Sequence, residues 1–139
     1  MGCDIHAYIE VKVDGDWHLY ACCDVARHYG LFARMADVRN TTGVEPIAKP
    51  RGFPDDAAFM TRFCRDHDGT NGHSDSWLTG DELQSLEGWL IERDKTQGNK
   101  PALFWVHDQF GYCFGHGFGK DSRHAPGVED VRIVFWFDN

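Results

Sequence analysis

Cys3, Ile5, Ala7, Ile9, Val11 and Val13 alternate with Asp4, His6, Tyr8, Glu10 and Lys12, the period of two that a strand with one buried face requires. Asp14-Gly15 follows directly and is a strong hairpin dipeptide, so Trp17-His18-Leu19-Tyr20 is expected as the returning strand. Between Arg27 and Val38, Leu31, Phe32, Met35 and Ala36 fall at helical spacing, and the helix should break at Arg39-Asn40-Thr41-Thr42-Gly43. Lys49 to Pro54 is expected as loop. Pro54 then suits the first position of a helix with Asp55 and Asp56 in its first turn, running to about His67 and stopping before Gly69.

Asp68 to Ser76 is dense in turn formers and is expected as loop. Thr79 and Glu82 form a T-x-x-E capping box that opens a helix with Leu83, Leu86, Leu90 and Trp89 facing inward. Gln97 to Pro101 ends it. Ala102–Val106 and Phe110–Phe114 read as strands with uncertain ends, because glycines interrupt them. Val131, Ile133, Phe135 and Phe137 alternate with Arg132, Val134, Trp136 and Asp138, a strand apolar on most of both faces and therefore central in its sheet. The order of elements predicts one α+β domain over residues 1–139. Its sheet is mainly antiparallel, with an N-terminal hairpin and a C-terminal strand, and two to three helices pack on one face.

Composition narrows the class. A chain of 139 residues with 42% hydrophobic and 14% aromatic content suffices for one packed core. Its mean hydropathy of -0.48 and the lack of an apolar run near the roughly 20 residues of a membrane span argue against a membrane protein. The start has no basic and apolar leader pattern, so a cytoplasmic location is expected. Five cysteines with no C-x-x-C spacing fit free thiols. Cys3 and Cys64 are expected in the core, and adjacent Cys22-Cys23 seldom form a mutual disulfide. Twenty-two acids against 14 bases, a net charge of -8, exclude non-specific nucleic-acid binding and leave room for a small anionic ligand held by a few arginines. There is no P-loop, no G-x-G-x-x-G and no G-x-S-x-G, and the glycines between Gly111 and Gly119 fit neither phosphate motif.

Several polar residues are candidates for chemistry. Asp4 and His6 project from one face of the first strand, with Tyr8 continuing the row, a way for a strand to present two ligands to Zn, Mn or Fe. The alternative is that this row is simply the solvated face of a hairpin. The D-x-H pair resembles the opening motif of calcineurin-like metallophosphoesterases, whose other acidic and histidine blocks are missing here. Arg39, Arg51, Arg62 and Arg132 are the candidate anion ligands, since arginine grips phosphate or carboxylate bidentately; the alternative, and for any single arginine the better reading, is a salt bridge with one of the 22 acids. Arg132, set between hydrophobes, needs a partner or a ligand. In His73-Ser74-Asp75-Ser76-Trp77, an exposed Trp could stack on a base, but Thr79 is expected to cap and Trp77 to enter the core as a hydrophobic staple; His73 and Ser74 stay candidates for an anion site at the helix start.

The stretches MGCDIH-Y-E, LFA-MADVRN, PRGFPDD, HSDSWLT and DVRIVFWFDN together resemble a family of small uncharacterised bacteriophage and bacterial proteins. The resemblance covers about half the chain and implies a phage context, with the host cytoplasm as the location, without an activity. Residues 95–129 lie outside it and read as a member-specific insertion. The shared motifs contain Asp4, His6, Arg39, Arg51, Asp55, His73 and Arg132, which implies that these converge on one pocket. Two functions follow as expectations. The first is a protein that binds a small phosphorylated or nucleotide-like ligand through Arg39, Arg51, His73, Ser74 and Arg132, sequestering a host defence signal. The second is a metal-dependent hydrolase, a phosphoesterase, in which Asp4, His6 and His73 hold a divalent metal and its bound water attacks. No catalytic residue is assigned, no cofactor is implied by the first reading, and the open edge of the hairpin is a place for subunits to pair.

Overall fold

The computed structural model describes residues 2–97 and 126–139. The strands expected at 102–106 and 110–114, and most of the insertion at 95–129, lie outside the described residues. The N-terminal hairpin is β1, Asp4–Val13, and β2, Asp16–Cys23. Asp14 and Gly15 both take positive φ, 52° and 83°, the twist that lets a two-residue loop match the strands. After α1, Tyr29–Ala36, and α2, Phe59–Asp68, come β3, Gly72–Thr79, α3, Gly80–Gln97, and β4, Asp130–Asp138. The sheet runs β2-β1-β4-β3, every neighbouring pair antiparallel. The molecule is an α+β domain, and β4 is central as its two apolar faces require. Among the described residues no helix is long and apolar enough to cross a membrane.

One face of the sheet carries the core. Ile5, Ala7, Ile9 and Val11 of β1 and Val131, Ile133, Phe135 and Phe137 of β4 pack against Leu31, Phe32 and Met35 of α1 and Leu83, Leu86 and Leu90 of α3. The capping box forms as expected: the Thr79 N–H donates to Glu82 Oε1 at 3.0 Å and the Glu82 N–H to Thr79 Oγ1 at 3.2 Å. Cys3 is fully buried in this core, whereas Cys64, also expected there, is only half-buried on α2.

The opposite face is covered too, by residues 53–68. Trp136, on the phase of β4 that faces away from the core, is wholly buried. Its ring meets Phe53 edge-on at 6.2 Å, and its indole N–H donates to Asp68 at 2.6 Å. Tyr8 stacks on Trp136 from β1, with centroids 5.0 Å apart. The polar phase of β1 is therefore largely an inner surface, and burial beside Cys64 pushes the Tyr8 phenol well above its ordinary range.

Two local expectations are corrected. The helix expected from Pro54 starts at Phe59: Pro54 to Asp56 form a turn closed by the Ala57 N–H to the Pro54 carbonyl at 3.2 Å. Asp56 is drawn to Arg132 at 2.9 Å, and the Glu10 carboxylate takes the Ala58 N–H at 2.8 Å, so both carboxylates serve the sheet rather than a longer helix. Residues 72–76, expected as loop, are strand. Central β4 has a free ladder on that side, and a polar segment with a bulge between His73 and Ser76, Ser74 at φ 56°, fills it.

Candidate functional site

Arg132 lies at the start of β4 on the face away from the core, nearly buried. Its Nε donates to Glu10 Oε1 at 2.7 Å and its Nη1 to Asp56 Oδ1 at 2.9 Å, while its guanidinium stacks 4.0 Å from the centroid of Trp17. Partial desolvation of Asp56 works against ionisation. The Arg132 guanidinium outweighs it, with a hydrogen bond from Trp17, and holds the carboxyl below its usual range.

Around this pair opens a cleft of about 580 Å³ lined by Lys12, Trp17, Pro54, Asp55, Asp56, Trp77, Thr79, Asp130, Val131 and Arg132. That volume is of the size that holds a small ligand. The floor comes from the inner strands, Lys12 on β1 opposite Asp130 on β4. Trp17 and Trp77 stand on the outer strands β2 and β3, both half-buried. Lys12 lies 5.8 Å from the centroid of Trp17 and has no ion pair among the described residues. Asp55 and Asp130 are exposed, and neither is ion-paired among the described residues; Asp130 accepts its neighbour's N–H, that of Val131, at 2.8 Å.

Trp77 is thus a wall of the cleft rather than the core staple expected of it. Its outer side is taken by Arg51, 4.6 Å from the ring centroid. Arg51 forms a two-pronged pair with Glu82, both contacts 2.7 Å, and donates to the Trp77 carbonyl at 3.0 Å. That pair raises the Arg51 pKa and lowers that of Glu82.

The other candidates lie elsewhere. Arg39 donates to Asn139 at 3.1 Å and sits 5.9 Å from the Tyr29 ring, at the far end of β4, about 20 Å from Arg132 at 3.3 Å per residue. His73 stacks on Phe137 with centroids 6.2 Å apart, and its Nδ1 is 3.0 Å from Ser74 Oγ. Arg62 holds the 53–56 turn, donating to the carbonyls of Pro54 and Asp55 at 3.2 and 3.1 Å. The single pocket expected for Arg39, Arg51, His73, Ser74 and Arg132 is therefore not formed. Arg132 alone lines the cleft, with Arg51 behind its wall, and Arg39, His73 and Ser74 gather at the opposite end of the sheet.

The proposed metal ligands do not meet either. Asp4 is paired with Arg27 through two 2.8 Å contacts, which hold its carboxyl below the usual range. His6 Nε2 lies 2.5 Å from Asp138 Oδ2 and 3.9 Å from Asp68 Oδ2, its ring stacked on Trp136. His73 pairs in register with Phe137 and faces the core side, whereas His6 pairs with Trp136 and faces the other. Among the described residues no group of three or more His, Cys, Asp or Glu side chains is placed to hold a metal ion.

Sequence reasoning missed Lys12, Trp17 and Asp130 as site residues. A signal for the first two was present: Lys12 and Trp17 stand at equal distance on either side of the Asp14-Gly15 turn and must pair across the hairpin. Comparison with known proteins finds no match to this chain among family models, curated proteins or solved structures.

Proposed function

We propose that the protein binds a small nucleotide-like ligand in the cleft, gripping the planar base more than the phosphate. The observation that supports this is the lining: two half-buried tryptophans beside two exposed carboxylates that have no ion pair among the described residues, Asp55 and Asp130. An indole offers a stacking surface to a base, about 1–3 kcal/mol per stacked base in nucleic-acid sites. A carboxylate accepts from the exocyclic amino group of adenine, cytosine or guanine. Arg132 is already engaged by Glu10 and Asp56, so Lys12 is the cation at hand for a phosphate. In the phage context that the resemblance implies, such a protein would sequester a host signalling nucleotide.

Tryptophan fluorescence and thermal unfolding with a panel of nucleosides and 5′-nucleotides test the reading. An amino-bearing base should quench the fluorescence and raise Tm by several degrees at saturation. Asp130→Asn, at an exposed position, and Trp77→Ala should each weaken that ligand about tenfold or more. A panel in which no nucleoside or nucleotide moves either signal overturns the reading.

A further inference from the structure

Helix α2 is built inside out. Thr61 is its one fully buried residue, and Cys64, Arg65 and Asp68 are half-buried. Phe59, Met60 and Phe63 are 80%, 49% and 60% exposed. Three large apolar side chains on one helix in water forgo the burial that stabilises amphipathic helices, and clustered patches of this kind mark interaction surfaces.

The helix packs beside β2, which is an edge strand. The two edges of the sheet are treated differently. β3 is blunted by its bulge, by the Gly52 N–H donating to the Asp75 carbonyl at 2.8 Å, and by the Arg51 N–H donating to Ser76 Oγ at 3.1 Å. β2 contains neither Lys nor Pro, and no further strand pairs with it among the described residues. An irregularity opposite Ile9 and Glu10 adds Tyr20, which is 41% exposed. Both edges thus carry an irregularity, but among the described residues β3 alone is also covered by hydrogen bonds from the 51–52 loop, which leaves β2 the more open edge for extension.

We infer that this surface pairs with a second copy of the chain about a twofold axis. β2 meets β2 of the second copy antiparallel, and the two α2 helices lie side by side on the same face of the extended sheet. Such an arrangement is self-complementary, as an isologous interface must be. At ~200 Å² per large side chain, the exposed fractions of Phe59, Met60, Phe63 and Tyr20 amount to roughly 450 Å² of surface. A standard interface takes about 800 Å² per partner, which the eight-residue edge of β2 can complete.

Sedimentation equilibrium of the full chain over a wide concentration range decides the matter. The expected species has twice the 15.8 kDa chain mass. Phe59→Asp with Phe63→Asp should yield a monomer that melts cooperatively, and Tyr20→Lys should raise the dimer dissociation constant about tenfold or more. Tyr20→Lys, on the exposed strand edge, reports on the interface even if the double aspartate variant fails to fold. A wild-type monomer at every concentration overturns the inference, as does a dimer insensitive to Tyr20→Lys.

Discussion

A guanidinium set in a strand of otherwise buried residues needs counter-charges, and Arg132 takes two. Glu10 is wholly buried and serves two donors, Arg132 Nε at 2.7 Å and the Ala58 N–H at 2.8 Å, so one carboxylate ties β4 to β1 and to the start of α2. Removing one member of such a pair leaves the other charged and unsatisfied, which costs about 3–5 kcal/mol, whereas replacing both with apolar groups of similar volume is far milder. Urea unfolding should accordingly show Glu10→Met and Arg132→Met each strongly destabilising. The double variant should fall well short of the sum of the two, a coupling that an additive result would contradict. The sequence marks Arg132 as a residue that needs a partner but not which partner, since Glu10 is 122 positions away and the pairing is made only when β1 and β4 come into register.

At the level of elements, the N-terminus of α3 is where chain-local and long-range chemistry meet. The capping box is local and legible: T-x-x-E needs four residues, and both reciprocal bonds form. The addition of Arg51, 31 residues earlier, is not legible, because a loop must bring it to Glu82. Hydrogen bonding from Arg51, against partial desolvation, holds the Glu82 carboxyl below its ordinary value of 4.5. A carboxyl whose folded-state pKa is depressed stabilises fully above its unfolded value, and that contribution disappears as pH falls through the folded one. Glu82→Gln keeps an amide able to cap but loses the charge. It should lower stability at pH 7 by on the order of 1 kcal/mol and converge with the parent as pH falls below 4.5 and through the depressed folded-state pKa of Glu82, which thermal unfolding across that range measures. The same contrast explains the rest of the fold. The hairpin, α3 and β4 announce themselves through short-range periodicity. β3 does not, because Gly72-His73-Ser74-Asp75-Ser76 is a strand by virtue of the open ladder of β4 beside it. The start of α2 is displaced because Asp56 and Glu10 are claimed by Arg132 and Ala58.

Across the whole molecule, Arg51 and Arg132, expected to share one pocket, take separate partners, Arg51 with Glu82 and Arg132 with Glu10 and Asp56, as Arg27 takes Asp4 and Arg65 takes Asp75. Composition records 14 bases among 22 acids, but not which acid neutralises which base, so the sign of the field at any one place is settled by topology. The lining of the cleft has Lys12 and Arg132 against Asp55, Asp56 and Asp130, and it sits on a chain of net charge -8. The local field therefore follows the global one instead of opposing it, which separates a base-gripping cleft from a phosphate-gripping one. The Debye length is about 30 Å at 0.01 M salt and about 8 Å at 0.15 M. At low salt a triphosphate approaching the cleft feels the acidic surplus of the whole molecule, and at physiological salt it feels mainly Lys12 and the nearest carboxylates. Titration calorimetry should give a nucleoside affinity that is nearly flat between these salt concentrations, while the corresponding triphosphate binds more tightly as salt rises. An arginine-lined phosphate site would show the reverse, with triphosphate affinity falling steeply with salt, and that outcome would remove the basis for placing the base, rather than the phosphate, at the centre of recognition.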